Sequence, residues 1–282
     1  MFRPNRWAFL TALTALSCAT PTRTGPVIAA SLPPLASMAE FLAGDRFTVV
    51  CVLPPGRSEH DFEPTPREID QARGAVLFAY THEDMDGWML RVAKGVMGES
   101  PTLVSMQDSP RAIGKDPHLW LDLDVVKDFV PRLAEKLAEK DPSGSDTYRA
   151  RATAYLDSLV ALDAEAKALL EPVAEAPFAI LHPAFEVLAR RYDLNLVAVL
   201  EEHPEAEALP RTLGEATLRL RASGARVVFG EPQLPTRLTH AIAADLGAKT
   251  ALLDPLGGPG IESRETYLEL MRWNVQQLAE NL

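Results

Sequence analysis

The sequence predicts an α/β fold of two lobes, each a mainly parallel sheet flanked by helices, joined by one long rigid helix. β-rich apolar runs alternate with helical patterns along the chain, which is typical of βαβ units and parallel sheets. Residues 145–170 contain no glycine or proline, and their apolar side chains recur three and four positions apart, as on one face of a helix. The length of 282 residues also suits two lobes of about 100–150 residues each.

The first lobe is predicted at residues 26–144, where four short apolar runs are separated by turn-rich and helical segments. Its strands are expected at 27–30, 47–53, 75–79 and 103–105. Its helices are expected at 35–43, 66–73 and 123–139, where apolar residues follow a helical spacing. The last of these helices is expected to end at residues 141–144, because proline and glycine there interrupt regular structure.

The connecting helix is predicted within residues 145–172, and Pro172 marks its end. At 1.5 Å per residue, about 26 residues span roughly 39 Å, which is long enough to run along a whole lobe. The second lobe is predicted at residues 173–282, where the alternation resumes. Its strands are expected at 178–181, 196–200, 226–229 and 250–253, and its helices at 183–192, 207–222, 235–246 and 264–282.

The N-terminus is typical of an export signal, predicted at residues 1–18. Arg3 and Arg6 precede an apolar stretch of eleven residues. That stretch is too short to cross a bilayer, which needs about 20 residues. It ends with a small residue before Cys18, which resembles a bacterial lipobox, so we expect either a lipid anchor on Cys18 or simple cleavage nearby. Residues 19–25 are interpreted as a flexible tether.

The charge and the cysteine content narrow the functions that the chain could have. It carries 28 Lys and Arg against 39 Asp and Glu, a net charge of −11, which argues against a nucleic-acid partner and against a basic membrane-surface helix. With 2 cysteines the chain is neither a disulfide scaffold nor a cysteine-rich zinc protein. Cys51 is expected to be a buried apolar side chain. A metal site would therefore use His, Asp and Glu.

Four side chains are expected where the predicted strands end. His60 lies in the loop after the second strand, and His182 and Asp254 each directly follow a strand of the second lobe. His118 lies between a loop and the helix at 123–139. In open α/β sheets, ligands bind beyond the carboxyl ends of the strands. These side chains, two from each lobe, could therefore converge in the cleft between the lobes.

Five local strings carry a more specific signal. They are PPGRSEHDFEPTP at 54–66, DPHLWLD at 116–122, LHPAFE through RRY at 181–192, FGEPQ at 229–233 and LDPLG at 253–257. In this order they resemble the metal-ligand loops of the periplasmic zinc- and manganese-binding proteins of bacterial ABC transporters. The resemblance implies a monomeric binding protein in the periplasm or on the outer face of the cytoplasmic membrane. It also implies a metal bound between the lobes and a membrane permease as the partner that receives it.

The resemblance implies that His60, His118, His182 and Asp254 are the metal ligands. Zinc-type members are similar to this sequence in having His at the third position, where manganese-type members usually have Glu. Three imidazoles and one carboxylate suit Zn²⁺, so we expect Zn²⁺ as the transported ligand rather than Mn²⁺. The chain departs from the family pattern in Pro183, which follows the third ligand, and in lacking the His-rich insertion of many zinc-type members.

Further residues are expected near the site. Glu231 follows the strand at 226–229 and is predicted to orient a ligand histidine, while His82 and His203 are candidate neighbours of the site. His240 lies within a helical pattern and is expected to be solvated or packed. Trp120 is interpreted as core or cleft-wall packing.

Two other functions stay open from the sequence alone. A zinc hydrolase would combine three histidines with an open coordination position, but Asp254 offers a fourth ligand and there is no His-Glu-x-x-His string. A receptor for an iron chelate or vitamin B12 would need a wider apolar cleft. We therefore expect a binding protein and not an enzyme, with a manganese-binding member of the same family as the nearer alternative.

Overall fold

The computed structural model describes residues 25–200 and 218–282, apart from residues 113, 115 and 219. Within these residues the chain forms two four-stranded sheets, one in each lobe, and a long helix lies between them in sequence. All the strand pairs described are parallel, which confirms the predicted α/β fold. The predicted export signal with Cys18, most of the predicted tether, and His203 lie outside the described residues.

The first lobe is built on one parallel sheet. Its strands are β1 (Val27–Ala30), β2 (Thr48–Cys51), β3 (Ala75–Tyr80) and β4 (Leu103–Ser105), in the spatial order β2-β1-β3-β4. Its helices are α1 (Pro33–Ala43), α2 (Pro66–Gln71), α3 (Glu83–Asp86), α4 (Trp88–Met97) and α5 (Leu123–Lys140). The central strands β1 and β3 are almost wholly buried and are apolar along their length, as expected when helices cover both faces of a sheet.

The sequence does not predict α3 and α4. Gly87 lies between them, and glycine usually marks a break in a helical pattern. Its backbone is nevertheless helical, with a φ of −59°. A Cβ atom at this position would lie 2.3 Å from the Glu83 carbonyl oxygen, so the absence of a side chain allows the two helices to meet in a close turn.

The second lobe repeats the architecture of the first. Its strands are β5 (Phe178–Ile180), β6 (Leu196–Val199), β7 (Val227–Gly230) and β8 (Lys249–Leu252), in the order β6-β5-β7-β8. Its described helices include α7 (Glu186–Arg191), α8 (Thr236–Leu246) and α9 (Tyr267–Asn281). Helix α9 begins later than predicted because Thr266 and Glu269 form a capping box that fixes its first turn.

The helix between the lobes is α6 (Ser145–Leu170), with the bounds of the Gly- and Pro-free stretch that predicts it. One stripe of α6 is buried, at Tyr148, Ala152, Tyr155, Leu159, Leu162, Ala166 and Leu170. The helix packs on α5 of the first lobe and on α9 of the second. It therefore contacts both lobes along its length rather than bridging a gap between them.

One hydrophobic core contains buried residues of both lobes. It includes Ile28 and Trp120 from the first lobe and Phe178 and Tyr267 from the second. A smaller cluster, around Val228, covers the other face of the second sheet. The two lobes are thus packed against each other through apolar side chains. Among the described residues, no helix has the length and apolar character needed to cross a membrane.

Leu159→Ala should lower the free energy of unfolding by about 2–5 kcal/mol, because loss of this side chain leaves a cavity. Leu159 is 0 % exposed in the middle of α6, whereas the next residue, Val160, is 59 % exposed. Val160→Ala is therefore a matched control and should change the stability by less than about 0.5 kcal/mol. Urea denaturation followed by circular dichroism measures both values. Equal losses in the two variants would contradict the packing of α6 described above.

Candidate metal centre

Three histidines reach the cleft between the lobes from different elements. His60 lies in the loop that follows β2, and His182 follows β5. His118 immediately precedes a short 3₁₀ turn, Leu119–Leu121, that leads into α5. Parallel strands place their carboxyl ends at one edge of a sheet. His60 and His182 therefore lie beyond the carboxyl ends of their sheets, and the segment that leads into α5 brings His118 to them.

The three imidazole rings form a tight cluster. Their ligand nitrogens all lie within 4.8 Å of one another, and the Nε2 atoms of His60 and His118 are 3.4 Å apart. The ring centre of His182 lies 4.5 Å from that of His60 and 4.7 Å from that of His118. Imidazole nitrogens bind Zn²⁺ at about 2.0–2.1 Å, so two donors on a tetrahedral ion are roughly 3.3 Å apart. The spacing of His60 and His118 is close to that value.

Carboxylates orient two of the three rings. Asp116 Oδ1 lies 2.8 Å from Nδ1 of His118, and Glu231 Oε1 lies 3.1 Å from Nδ1 of His182. These contacts leave the Nε2 atom of each ring available to a metal. His182 Nε2 is buried and has no hydrogen-bond partner among the described residues. A buried polar atom in that situation is costly, and a metal ion would satisfy it.

Asp254, the fourth ligand that the resemblance implies, is completely buried but is not part of the histidine group. Its Oδ1 accepts hydrogen bonds from Gln233 Nε2 at 2.8 Å and from the backbone N–H groups of Leu256 and Gly257 at 3.0 Å. Its Oδ2 accepts one from Arg264 Nη1 at 2.7 Å. Both carboxylate oxygens are therefore engaged within the second lobe, and a ligand role for Asp254 stays a prediction.

Glu59 lies beside the cluster, which the sequence does not predict. Its side chain is 2 % exposed, and its Oε1 atom lies 3.9 Å from Nε2 of His60. That oxygen accepts no hydrogen bond from the residues that the structure describes. Like Asp254, Glu59 is outside the histidine group. Its buried oxygen has no donor and lies near His60, which makes Glu59 a candidate metal ligand. The sequence offers one signal for Glu59, its position directly before His60. That position indicates a surface residue equally well, because Glu is rarely buried.

The remaining residues of interest have different places. His82 Nδ1 accepts a hydrogen bond from the backbone N–H of Asp84 at 3.0 Å and so caps α3. The sequence suggests that His82 is a neighbour of the site. In the structure its side chain caps a helix, and it is not part of the histidine group. His240 is exposed on α8, as expected. Asp116 lies in the DPHLWLD string, but the string alone does not indicate that its carboxylate contacts the His118 ring.

Burial sets the charge of these groups. It lowers the pKa of His60 to about 3, together with the neighbouring histidines, and it lowers the pKa of His182 to about 4. It also lowers the pKa of His118. The rings are thus neutral at neutral pH, the form in which imidazole binds metals. Burial raises the pKa of Glu59 and of Glu231 to about 8, because an ionised carboxylate is poorly solvated there.

Comparisons with known proteins relate the chain to components of metal transporters. The sequence model of the ZnuA family, described as the periplasmic component A of the zinc-uptake complex, matches residues 28–281. The high-affinity zinc uptake system protein ZnuA of Bacillus subtilis is 23% identical over 271 residues, covering 88% of this chain and 85% of that protein. The iron ABC transporter substrate-binding lipoprotein MtsA of Streptococcus pyogenes serotype M1 is 23% identical, covering 98% of this chain and 96% of that protein.

Solved structures show the same fold. A crystal structure of ZnuA superposes with a TM-score of 0.82 at 26% identity, covering 92% of this chain and 99% of that chain. The protein FpvC of Pseudomonas aeruginosa, in complex with Mn²⁺, superposes with a TM-score of 0.80 at 24% identity, covering 92% of this chain and 98% of that chain. The match over residues 28–281 decides the family. This chain belongs to the ZnuA family of extracytoplasmic metal-binding components of ABC transporters, and it is a binding protein rather than an enzyme.

Proposed function

We propose that this protein captures Zn²⁺ between its two lobes and delivers it to the membrane permease of an ABC transporter. The observation that carries the proposal is the convergence of three imidazoles, two from one lobe and one from the other, with ligand nitrogens within 4.8 Å of one another. The lipid anchor on Cys18 stays a prediction of the sequence. It is supported by relatives named as lipoproteins, among them FimA of Streptococcus parasanguinis.

The donor set supports zinc over manganese. Imidazole suits Zn²⁺, Cu²⁺, Fe²⁺ and Ni²⁺, whereas carboxylate, carbonyl and water ligands suit Mn²⁺. The names of the relatives mention zinc and iron, and solved structures of FpvC contain Mn²⁺ or Ni²⁺. Family likeness alone therefore does not choose the metal. The choice of Zn²⁺ rests on three nitrogen donors in this chain, including His182 at the position where a carboxylate would favour Mn²⁺.

One carboxylate would complete a four-ligand shell with the three histidines. Glu59 has a buried oxygen without a hydrogen-bond donor, 3.9 Å from His60 Nε2. Asp254, the ligand implied by resemblance, would have to exchange a present donor, such as Arg264 at 2.7 Å, for the metal. Four protein ligands leave no position for an activated water, which suits a carrier rather than a hydrolase.

His60→Ala and His118→Ala should each lower zinc affinity by at least about 10–100-fold, because losing a group that merely orients a ligand already costs that much. Equilibrium dialysis with metal analysis gives the affinity and the stoichiometry, which we expect to be one Zn²⁺ per chain. His240→Ala, which alters an exposed histidine on α8, is the control and should bind zinc like the wild type. Unchanged affinity in both ligand variants would exclude the proposed site.

Zinc affinity should rise with pH and level off above about pH 8. The pKa of both Glu59 and Glu231 is about 8, so each carboxyl is protonated at lower pH. With Glu59 as the fourth ligand, binding requires an ionised Glu59, and it also requires an ionised Glu231 to accept the Nδ1 proton of His182. Binding then displaces protons. The logarithm of the affinity should therefore increase by about two per pH unit between roughly pH 5.5 and 7.5. Calorimetry in two buffers of different ionisation enthalpy counts the protons released.

Glu59→Gln separates the two candidate carboxylates, because it removes the acidic group with little change in volume. If Glu59 is the ligand, this variant binds zinc more weakly and releases about one proton fewer near pH 7. If Asp254 is the ligand instead, Glu59→Gln leaves proton release unchanged and Asp254→Asn causes the larger loss of affinity.

His182→Glu should narrow the preference for Zn²⁺ over Mn²⁺ by at least about tenfold, or roughly 1.4 kcal/mol. The change replaces a nitrogen donor with a harder oxygen donor, while Zn²⁺ should still bind more tightly in absolute terms. Competitive titration of both metals at one pH and salt concentration measures the ratio. His182→Ala removes the nitrogen without adding an oxygen and is the control for simple loss of a ligand. If the ratio is unchanged in His182→Glu while both affinities fall, His182 does not set selectivity.

A further inference from the structure

Trp120 lies two residues after His118 and joins the two lobes. Its side chain is 0 % exposed. The indole Nε1–H donates a hydrogen bond of 2.7 Å to the backbone carbonyl of Pro255, and the Tyr267 hydroxyl donates one of 2.8 Å to the backbone carbonyl of Trp120. Pro255 and Tyr267 both belong to the second lobe. The residue therefore holds the second lobe through its side chain and through its backbone.

The same residue also contacts a proposed metal ligand. The Trp120 ring lies edge-on to the His118 ring, with 5.5 Å between the ring centres and 61° between the planes. The His118 ring is also held by Asp116, whose Oδ1 atom lies 2.8 Å from its Nδ1 atom. Pro255, which accepts the indole hydrogen bond, directly follows Asp254. Trp120 thus touches His118 in one lobe and the backbone next to Asp254 in the other.

Both hydrogen bonds are buried, so breaking either one has a definite consequence. Pro255 and Tyr267 are buried, and water is excluded from the groups that pair with Trp120. A buried carbonyl that loses its donor is left without a partner, which costs more than the same loss at a surface. Moving the lobes apart would break these bonds together with the apolar packing around the ring. The Trp120 contacts therefore favour the arrangement in which the three histidines converge.

We propose that Trp120 is a positioning residue of the metal centre. Its hydrogen bonds between the lobes keep His118 at binding distance from His182. This inference rests on the proposed function, because it concerns how long the captured metal is held. Its consequence is kinetic. When these interlobe hydrogen bonds are weakened, the ligand histidines separate more often, so the metal dissociates faster. The rate of metal association with the open site changes little.

Trp120→Phe tests the inference, because it removes the indole N–H and keeps an aromatic ring. Trp88→Phe is the matched control. Trp88 is 5 % exposed, its indole nitrogen has no hydrogen-bond partner in the described part of the chain, and its ring packs on Phe62 within the first lobe. Both variants lose the same group from a buried site, but only Trp120→Phe removes a hydrogen bond between the lobes.

A second pair of variants covers the case in which Trp120→Phe does not fold. Tyr267→Phe removes only the hydroxyl that binds the Trp120 carbonyl. Tyr155→Phe is its control, since Tyr155 is 2 % exposed and its hydroxyl has no hydrogen-bond partner within the described residues. Each pair thus compares one interlobe hydrogen bond with a buried group of the same kind that makes none.

The measurement is stopped-flow zinc release to a fluorescent chelator, at a temperature at which circular dichroism shows every variant to be folded. Zinc should leave Trp120→Phe at least about tenfold faster than the wild type, the lower end of the effect of groups that orient metal ligands. Tyr267→Phe should change the rate in the same direction. The association rate should stay near that of the wild type, and both controls should release zinc like the wild type.

Two different failures can be told apart by this design. If the wild type and both controls bind no zinc, the proposed function fails. If they bind zinc and the two interlobe variants release it at the wild-type rate, the role of Trp120 is overturned even if the variants melt at lower temperature. A loss of thermal stability alone would mean that Trp120 supports the fold without positioning the ligand.

Discussion

The site depends on burying three imidazole rings between two lobes while keeping them neutral. Burial is the main cause of their lowered pKa values, because a charged imidazole loses its hydration there. Burial alone does not fix the direction of a ring. Asp116 and Glu231 hold the Nδ1 atoms of His118 and His182, each from within its own lobe. The Nε2 atoms meet only because the lobes share one core, so interlobe packing is part of the metal site.

Sequence patterns predict the parts of this arrangement that are local. The bounds of α6 follow from a single stripe without glycine or proline. His60, His118 and His182 are predicted because the short strings that contain them resemble the ligand loops of a known family. Partners that are distant in sequence or depend on burial are not predicted. Glu59 has the sequence context of a surface residue, and only the fold buries it. Trp120 has the pattern of a packing residue, and nothing near it in sequence indicates a hydrogen bond to a carbonyl 135 positions away.

Asp254 illustrates how a ligand-like string can have a structural role in the same place. Its carboxylate accepts hydrogen bonds from the backbone N–H groups of Leu256 and Gly257, which follow it in sequence. Gln233 and Arg264 donate the remaining side-chain hydrogen bonds. These bonds shape the loop after β8. That loop presents the Pro255 carbonyl to the first lobe. A carboxylate at this position thus organises the second lobe's side of the cleft, whatever its part in binding the metal.

Contacts other than the ligands also join the lobes around the cluster. Arg191 of α7 forms ion pairs with Asp124 of α5 at 2.9 Å and with Asp163 of α6 at 2.7 Å, so it links the second lobe to both the first lobe and the connecting helix. The ligands and these contacts favour the same arrangement of the lobes. Metal affinity and lobe packing are therefore linked reciprocally, since whatever favours one favours the other. A metal at 100 times its dissociation constant adds about 2.7 kcal/mol to the folded state. For a carrier this link works in both directions, because any partner that loosens the lobe packing also weakens the hold on the metal.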